Sequence, residues 1–529
     1  MGDVEAAAGL AVWGADPVGA EARATLVEAG VPGLLVQKDP TLWGADAEAE
    51  AKVRLGWLDT FRRSRDLLPQ LAELKAELAD LDRVVLAGMG GSSLAPEVIC
   101  RTLGRPLTVL DTTDPGQVRA VLTERLERTV VVVASKSGST VETDSHRRAY
   151  LRAFLDAGFS EAEAGRHFVV VTDPGSPLVE IAEEMGATVI FADPEVGGRY
   201  SALTAFGLVP AALAGVDVAE LIDQAEELHA SLSKDRDNPA LALGAALGAA
   251  VTAGRDKVAL VEDGTGIVGL ADWVEQLLAE STGKDGRGIL PVVLETPDAP
   301  IAGGEDVLTV TVGGSLPVGA VPGGGVRPDV AVNGPLGAHF LAWEYATAVA
   351  GRVIGIDPFS LPGRAAASAL PVEDPAFVEG AIEVYGTSAH SVEGALGSLL
   401  LAARPHGYVA VMAFLDRFAD ARAAQVRPLL AELSRRPVTF GWGPRFLHTA
   451  GLYHKGGPQL GAFLQITGAV GADLAVPGKP YTFGTLQATQ AAGDRQALTS
   501  RGRPLVRLHL TDRATGIVQL LDAVRSLRN

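Results

Sequence analysis

The sequence predicts an α/β protein built from doubly wound parallel sheets. Short valine-rich runs alternate with longer amphipathic stretches, which is the order of strands and helices in such folds. Small-residue turns follow several of these runs, at the points where a strand would pass into a helix. At 529 residues the chain is too long for one small domain, so we expect two or three units.

Residues 1–60 predict an N-terminal segment of helices and loops, and residues 61–210 predict the first complete α/β unit. The helix-forming stretch at 65–81 leads into the strand "RVVLAGMG". Strands and helices then alternate in the order "SLAPEVICRTL", "LTVLD", "PGQVRAVLTERL", "TVVVVAS", a long helix from residue 140, "HFVVVT", "SPLVEIAEEMG" and "TVIFA". This alternation predicts a parallel sheet with helices on both faces.

Residues 211–368 predict a second α/β unit, and residues 369–529 a C-terminal α/β region. In the second unit we expect the strand "KVALV", a Gly/Pro-rich loop at 313–328, and helices at 217–231, 238–254, 268–281 and in "PLGAHFLAWEYATAVAGRVIG". In the third we expect the strands "YVAVMAFL" and "PLVRLHL" and a terminal helix.

Composition narrows the classes of function. A net charge of −19 argues against nucleic acid as a partner, because phosphate backbones require a basic surface. The single cysteine, Cys100, excludes an internal disulfide and a multi-cysteine zinc site. The N-terminus lacks the basic region of a secretory signal, and the apolar stretch 240–254 is too short to span a bilayer. We therefore expect a cytoplasmic protein without a membrane partner.

Two strand-to-helix joints of the first predicted sheet are unusually rich in small residues that offer hydrogen-bond donors. They are "GMGGSS" (88–93) and "SKSGST" (135–140), each between a strand and a helix. One such joint alone is more typical of a tight turn with a helix cap, but two in one sheet favour an anion site. "GMGGSS" resembles a dinucleotide fingerprint, yet Ser93 replaces its third glycine, and a dinucleotide leaves "SKSGST" without a role. A compact sugar phosphate explains both joints.

Two further stretches provide groups for chemistry. "VGGRYSALTAFGLVP" (196–210) places a glycine pair before Arg199, with Ser201 expected to start a helix. In "WVEQLLAESTGKDGRG" (273–288), Gln276 and Glu280 stand one helical turn apart on one face. Taken alone, Glu280 is typical of a solvated surface charge.

The ordered motifs resemble the phosphoglucose isomerase family. "GMGGSSLAPEV", "SKSGSTVET", "GGRYSALTAFG", "QLLAESTGKDG" and "LAWEYATAVAGRVIGIDPFSLPG" cover roughly residues 80–365. The whole chain is most similar to the isomerase half of bifunctional transaldolase–isomerase proteins, although no transaldolase portion fits this length. The resemblance implies two three-layer sugar-isomerase (SIS-type) domains, usually in a homodimer with sites at the subunit interface.

The resemblance also implies roles for individual residues. Gly91 and Ser92 border the substrate, and Gly198 and Arg199 approach the reacting carbons. Gln276 contacts the substrate and Glu280 is the base. The phosphate pocket is lined by Ser135, Lys136, Ser137 and Thr140.

The implied reaction is the interconversion of glucose 6-phosphate and fructose 6-phosphate, an aldose–ketose isomerisation. After ring opening, a carboxylate moves a proton between C2 and C1 through a cis-enediol. Glutamate, with an unperturbed pKa of about 4.3, is ionised and ready to act as this base at neutral pH. Arg199 would stabilise the developing negative charge on oxygen. No metal or other cofactor is expected.

The sequence departs from the family in the groups that assist ring opening. Common members use a histidine from a neighbouring subunit and a C-terminal lysine, but "LPGRAAAS" lacks that lysine. Candidates lie in "FLHTAGLYHKGG", and we expect His454 and Lys455, in a loop, to serve; His448 is the alternative. His339 lies inside an apolar helix and is more typical of a packed side chain. Glu142 is expected to orient the histidine, or to be an ordinary first-turn acid.

Two other functions remain open on the sequence. One is a broader isomerase that also accepts mannose 6-phosphate. The other is a non-catalytic sugar-phosphate-binding protein, which would keep "SKSGST" but has no need for Glu280 and Arg199. Such a sensor often carries a basic DNA-binding helix pair, and no convincing basic face is present.

Overall fold

Three β-sheets, each mainly parallel, organise the part of the chain that the structure describes. The structure is a computed structural model that describes residues 4–296, 299–300, 304–317, 320, 322–323, 327–360 and 373–528. The predicted boundary at 368/369, the stretch 361–368 and part of the loop 313–328 lie outside these ranges. The layered α/β class predicted from the sequence is confirmed.

The chain begins with a β-hairpin, so the expectation of an all-helical N-terminal segment is wrong. Strands β1 (Val4–Ala7) and β2 (Leu10–Trp13) pair antiparallel. Ala8 and Gly9 join them with φ of 49° and 76°, the left-handed geometry of a tight two-residue hairpin. An isolated hairpin of two four-residue strands is only marginally stable, and β2 is fixed by pairing with residues 331–333 of the second sheet. The expected helices follow as α1 (Asp16–Glu28), α2 (Val31–Val36), α3 (Ala45–Ala51) and α4 (Thr60–Arg65).

The first unit is the doubly wound sheet that the sequence predicts. In chain order its elements are α5 (Leu68–Glu77), β3 (Arg83–Gly88), α6 (Leu94–Thr102), β4 (Thr108–Leu110), α7 (Pro115–Leu122), β5 (Thr129–Ala134), α8 (Val141–Asp156), α9 (Glu161–Arg166), β6 (Phe168–Thr172), α10 (Pro177–Met185), β7 (Thr188–Phe191) and α11 (Ala205–Leu213). The strands are all parallel, in the order β4-β3-β5-β6-β7. Strands β3, β5 and β6 are fully buried, as expected for a sheet covered on both faces.

The order of these strands creates a crevice where β3 meets β5. The chain leaves β3 toward β4 on one side and leaves β5 toward β6 on the other, so the connections diverge at this point. Gly88 and Ala134 are paired in register at the carboxyl ends of the two strands. The joints 88–93 and 135–140 therefore lie side by side, at the place where doubly wound sheets bind ligands.

The second unit adds helices to a six-stranded sheet. Its elements are α12 (Val218–His229), α13 (Pro239–Thr252), β8 (Lys257–Glu262), α14 (Leu270–Thr282), β9 (Leu290–Val293), β10 (Val307–Gly313), β11 (Val330–Asn333) and α15 (Leu336–Ile354). The strand order is β1-β2-β11-β10-β8-β9, with parallel pairing from β11 to β9. The sequence identified β8 and the helices, but not the other strands of this sheet.

The third unit is a complete α/β layer structure with a sheet order of β12-β13-β17-β16-β14-β15. Its elements are β12 (Phe377–Glu379), β13 (Ile382–Tyr385), α16 (Val392–Ala402), β14 (Tyr408–Phe414), α17 (Val426–Ser434), β15 (Val438–Trp442), α18 (Ala450–Gly456), β16 (Gly461–Gly468), α19 (Phe483–Thr499), β17 (Leu505–Leu510) and α20 (Arg513–Ser526). Short 3₁₀ turns occupy Pro40–Trp43, Leu55–Asp59, Gly90–Ser92, Leu126–Arg128, Gly198–Tyr200, Ala421–Gln425 and Arg445–His448.

Shared hydrophobic cores fix the units against one another. One core runs through the first and second units, and includes side chains of α6, α11 and α14. Another joins the second sheet to the third: Val261 and Val292 pack in the same cluster as Met412, Phe414 and Phe463. These cores therefore pack the second unit against both of the others. Among the described helices, none is long and apolar enough to cross a bilayer.

Candidate active site

Glu280 is held by two side chains from different units. Gln276, one turn earlier on α14, donates from Nε2 to Glu280 Oε2 at 3.0 Å. Arg199 Nη1 lies 3.7 Å from Glu280 Oε1. Glu280 is only 9% exposed, so it is not the solvated surface charge that its helical position alone suggested. A buried carboxylate fixed by an amide and a cation is a suitable general base.

Arg199 is itself fixed by hydrogen bonds. Its Nε donates to Ser281 Oγ at 2.7 Å, and its Nη2 donates to the carbonyl oxygen of Pro358 at 2.5 Å. With 4% exposure, the guanidinium is a buried, pre-oriented positive charge beside Glu280. The structure thus brings Arg199 to Glu280, and the expected approach of Arg199 to the reacting carbons stays a prediction.

Lys284 lies near this pair and was not singled out from the sequence. Its Nζ donates to the carbonyl oxygens of Asp357 and Ser360, each at 2.7 Å. Burial, and then the charge of Arg199, lower the pKa of Lys284 to about 7. The signal was available, because Lys284 follows Glu280 by four residues within the motif "ESTGKDG".

Two glycine turns meet beside Glu280. A Cβ on Gly91 would lie 1.9 Å from the carbonyl oxygen of Gly198, so this close approach tolerates no side chain. A Cβ on Gly90, where φ is 54°, would lie 2.8 Å from Gln276 Nε2 and 3.2 Å from His448 Cβ. A Cβ on Gly198 would meet nothing within 4 Å, so this turn borders open space.

The neighbours of these turns partly follow the sequence predictions. Ser92 is buried in the turn Gly90–Ser92. Ser201 does not start a helix: its Oγ donates to the carbonyl oxygen of Gly198 at 2.5 Å, within the turn. The helix α11 begins at Ala205, because Thr204 caps it through the backbone N–H of Phe206.

The joint 135–140 offers donors at the start of α8. Ser135 Oγ lies 3.0 Å from Thr140 Oγ1 and accepts from the backbone N–H of Gly138 at 3.1 Å. Ser137 is exposed, and its Oγ lies 2.9 Å from Ser139 Oγ. Thr140 is the N-cap residue of α8, yet its side chain makes no cap hydrogen bond. The first turn of α8 therefore keeps backbone N–H groups available for an anion.

Lys136 has other partners in the structure. Its Nζ donates to Asp173 Oδ2 at 2.5 Å and to the carbonyl oxygen of Asp193 at 3.2 Å. Its charge is therefore balanced by Asp173, and its expected place in the phosphate pocket stays a prediction.

His448 of the third unit contacts Glu142 of the first. His448 Nε2 lies 3.1 Å from Glu142 Oε1, and Gln490 Nε2 donates to the same oxygen at 2.7 Å. Gln490 Oε1 accepts in turn from Thr113 at 2.8 Å. Burial alone would raise the pKa of Glu142, but the hydrogen bond and charge of His448 outweigh burial and lower it. Glu142 is thus an ionised, oriented partner for this imidazole.

His454 does not lie in a loop, and that expectation is wrong. It lies on α18 and is 3% exposed. Its Nδ1 is 3.0 Å from Tyr408 Oη, and its ring packs against Phe463. Burial, followed by the nearby charge of Lys455, lowers its pKa to about 3. The contacts of His454 are therefore those of a side chain packed among aromatic rings.

The remaining candidates for ring opening also have structural partners. Lys455 Nζ lies 2.6 Å from Asp494 Oδ1. His339 is fully buried in α15, with Nε2 2.8 Å from the carbonyl oxygen of Gly313, in line with the packed histidine predicted there. The structure therefore brings His448, rather than His454 or His339, to Gly90 and Gln276.

Known proteins share this sequence and arrangement. Residues 75–307 match the sequence model of the family described as phosphoglucose isomerase. A probable glucose-6-phosphate isomerase of Haloarcula marismortui is 36% identical over 224 residues, 41% of this chain and 50% of that protein. The glucose-6-phosphate isomerase of Rubrobacter xylanophilus is 32% identical over 373 residues, 56% of this chain and 85% of that protein. The chain belongs to the phosphoglucose isomerase family.

Solved structures confirm the fold of this family member. A hypothetical protein from Thermus thermophilus superposes with a TM-score of 0.55 at 24% identity, over 66% of this chain and 94% of that one. A glucose-6-phosphate isomerase from Chlamydia trachomatis gives 0.53 at 20% identity, over 68% and 86%. The chain spans about half the length of the haloarchaeal relatives it matches. The family match ends at residue 307, so the unit that carries His448 lies beyond it.

Glu275 on α14, within the part of the chain that matches the family, contacts the third unit. Its Oε1 accepts from Thr449 Oγ1 at 2.8 Å, next to His448 in the chain. Burial, and then the charge of Asp272, raise the pKa of Glu275 to about 7. The folded state thus favours the protonated carboxyl of Glu275. The contribution of this carboxyl to the free energy of unfolding is complete below about pH 4.5 and is lost as the pH rises to about 7.

Replacing Glu275 with glutamine should therefore stabilise the protein above neutral pH. At pH 8 the free energy of unfolding of Glu275→Gln should exceed that of the parent by about 1–3 kcal/mol, because no buried charge remains. At pH 4.5 the two should differ much less. Urea unfolding at both pH values measures this, with the exposed Glu227→Gln on α12 as the control. An equal difference at both pH values would show that ionisation of Glu275 is not the cause.

Proposed function

We propose that this protein is a glucose-6-phosphate isomerase. The observation that carries the proposal is the buried Glu280 carboxylate, fixed between Gln276 and Arg199 beside the meeting point of two glycine turns. A binding protein has no use for a buried proton acceptor of this kind, whereas an isomerase requires one.

In this proposal Glu280 removes the C2 proton of the open-chain aldose and returns it to C1. Negative charge develops on the substrate oxygens in the cis-enediol, and the buried Arg199 guanidinium stabilises it without reorganising. The hydrogen bond from Gln276 holds the other carboxylate oxygen, so that Glu280 keeps one orientation. Positioned proton transfer of this type contributes roughly 10²–10⁴-fold.

The phosphate would bind at the first turn of α8. Free backbone N–H groups, the exposed Ser137 hydroxyl and the Thr140 hydroxyl are the donors available there. The acidic residues of that turn have partners of their own, since Glu142 contacts His448 and Asp144 pairs with Arg148 at 2.7 Å. An acidic protein can therefore present a local anion site.

His448 is our candidate for ring opening. Its Cβ and backbone lie beside Gly90, and Glu142, in contact with its Nε2, would fix the tautomer and orientation of the imidazole. An oriented imidazole can move a proton between the ring oxygen and the anomeric hydroxyl. This assignment replaces His454 and Lys455, whose contacts are with Tyr408 and Asp494.

A coupled assay tests the proposed function. The purified protein should convert fructose 6-phosphate to glucose 6-phosphate, detected by reduction of a nicotinamide cofactor by a second enzyme. Conversion of mannose 6-phosphate as well would indicate the broader isomerase. Binding of sugar phosphate without turnover, in folded protein, would overturn the proposal in favour of a sensor. A homodimeric state, a cytoplasmic location and a likeness to bifunctional transaldolase–isomerases stay predictions from the sequence resemblance.

Removing donors from the α8 turn should weaken binding more than it slows the reaction. Ser137→Ala and Thr140→Ala should each raise KM several-fold with a smaller change in kcat, because phosphate contacts are equal in ground and transition states. Steady-state kinetics and phosphate inhibition measure this. Ser160→Ala is a matched control: it removes the cap of α9 and costs about 1 kcal/mol of stability, but leaves KM unchanged. Parental affinity for substrate and phosphate in both pocket variants would move the phosphate site elsewhere.

A further inference from the structure

Lys284 begins a tight turn just beyond the end of helix α14. In this turn, residues 284–287, the backbone N–H of Arg287 donates to the carbonyl oxygen of Lys284 at 3.0 Å. Asp285 and Gly286 at its centre have φ of 55° and 70°, the left-handed values for which an Asp-Gly pair is preferred. The local sequence therefore fixes the backbone from which the Lys284 side chain starts.

The ammonium of Lys284 ends at residues 357–360, which we call the carbonyl segment. Besides the carbonyl oxygens of Asp357 and Ser360 described above, Lys284 Nζ donates to Ser360 Oγ at 3.2 Å. Arg199 Nη2 also donates to the carbonyl oxygen of Ser360, at 3.3 Å. Two buried cations thus share one carbonyl oxygen, so the place of the carbonyl segment sets the place of both.

Aromatic packing holds the middle of the carbonyl segment. Phe359 is buried, and its ring lies 4.8 Å from that of Trp43, edge to face, and 5.6 Å from that of Tyr200. Its backbone N–H donates to Asp357 Oδ1 at 2.8 Å. The centre of the segment is therefore anchored by Phe359, whereas the carbonyl groups at its two ends are held by Lys284.

A positive charge at Lys284 is unfavourable unless its hydrogen bonds are needed. Burial and the charge of Arg199 both disfavour the ammonium, and they lower the pKa of Lys284 to about 7. The oxygens that Lys284 contacts in the carbonyl segment are neutral. An apolar side chain of similar length would avoid the penalty of burying a charge. The lysine at this position therefore indicates a role for its contacts with the segment.

We propose that Lys284 is a positioning residue of the isomerase, which holds the carbonyl segment so that the segment fixes the Arg199 guanidinium beside Glu280. The inference rests on the function proposed above, in which Arg199 stabilises the charge of the enediol. Lys284 acts through Arg199 and touches no reacting atom. Because that charge develops after ring opening, the loss of Lys284 should affect cyclic and open-chain substrates equally.

The division of the loss between kcat and KM tests this role. Lys284→Met should lower kcat at least about 10-fold on both the cyclic sugar and an open-chain analogue, because Arg199 is no longer held in one orientation. KM should change less than about two-fold, and Lys284→Arg should recover part of kcat. The control Lys38→Met removes a partly exposed ion pair with Asp59 and should keep parental kcat. Parental kcat in folded Lys284→Met, or a loss on the cyclic sugar alone, would overturn the inference.

Ligand binding tests the role of Lys284 without turnover. One ligand is a phosphorylated five-carbon sugar acid, whose carboxylate resembles the charged enediolate, and the other is the matching phosphorylated sugar alcohol, uncharged at that end. By calorimetry, Lys284→Met should weaken binding of the acid at least about 10-fold and of the alcohol less than about two-fold. Equal weakening of both ligands would show that Lys284 is only structural.

These two experiments also separate the inference from the proposed function. A parent that does not isomerise, but whose binding of the sugar acid depends on Lys284, would overturn the function and support the contact between Lys284 and Arg199 through the carbonyl segment. A parent that isomerises, with a Lys284→Met variant equal to it in both experiments, would overturn only the inference. Should Lys284→Met not fold, Lys284→Gln, which keeps a donor but not the charge, gives the same comparison.

Discussion

Glu280→Gln should lose at least about 100-fold of isomerase activity while still binding sugar phosphate with near-parental affinity. Glutamine fills almost the same volume but cannot accept a proton at neutral pH. The donors that we propose for the phosphate, at the start of α8, lie on another element and are left intact. Affinity could even rise, because one negative charge has been removed beside a dianionic ligand.

Solvent exchange gives the sharpest measurement of this effect. In heavy water the parent should place deuterium from the solvent on C1 of fructose 6-phosphate, and Glu280→Gln should not. The exposed Glu227→Gln, which makes the same change of charge on α12, should match the parent in both assays. Exchange at the parental rate in Glu280→Gln would show that another residue takes the proton.

His448→Ala should lower turnover of the cyclic sugar by about 100-fold or more, the scale expected of a positioned acid–base group. Turnover of an already open analogue should fall much less, because we assign proton transfer at C2 to Glu280 and not to His448. Comparison of kcat on the two substrates measures the difference. Glu142→Gln should act in the same direction with a smaller loss, since it weakens the orientation of His448 but leaves the imidazole in place.

His454→Phe is the matched control for His448→Ala. The aromatic surroundings of His454, with Tyr408 and Phe463, accept a ring of similar size. The variant loses one buried hydrogen bond to Tyr408, worth about 1 kcal/mol of stability, but should keep parental kcat. The opposite pattern, with an active His448→Ala and an inactive His454→Phe, would return the role to His454.

Local sequence patterns were sufficient to predict the first sheet and the Gln276–Glu280 part of the candidate site. Strands β3 and β5 are continuous apolar runs that can be recognised in the sequence. The small-residue joints 88–93 and 135–140 follow them directly, so their position is also visible in the sequence. Gln276 and Glu280 are one turn apart on the same helix, so their hydrogen bond follows from helical spacing alone. Motif order then indicated the family, and with it the place of Arg199.

The choice between His448 and His454 depended on contacts that no local pattern contains. Glu142 and His448 are 306 residues apart and meet only because the third unit docks on the first. The helical spacing of Ala450, Tyr453 and His454 could have indicated that His454 faces a core. However, α18 has only seven residues and no side-chain cap, so the sequence did not predict a helix there.

By itself, the sequence determined the α/β class, the two donor joints and the Gln276–Glu280 pair, because each is set by residues adjacent in the chain or one helical turn apart. The tertiary structure alone decided that β1 and β2 complete the second sheet, that Lys136 pairs with Asp173, and that His448 contacts Glu142. Those outcomes depend on pairing and ion contacts between distant residues, whose free energy exists only after the units have packed.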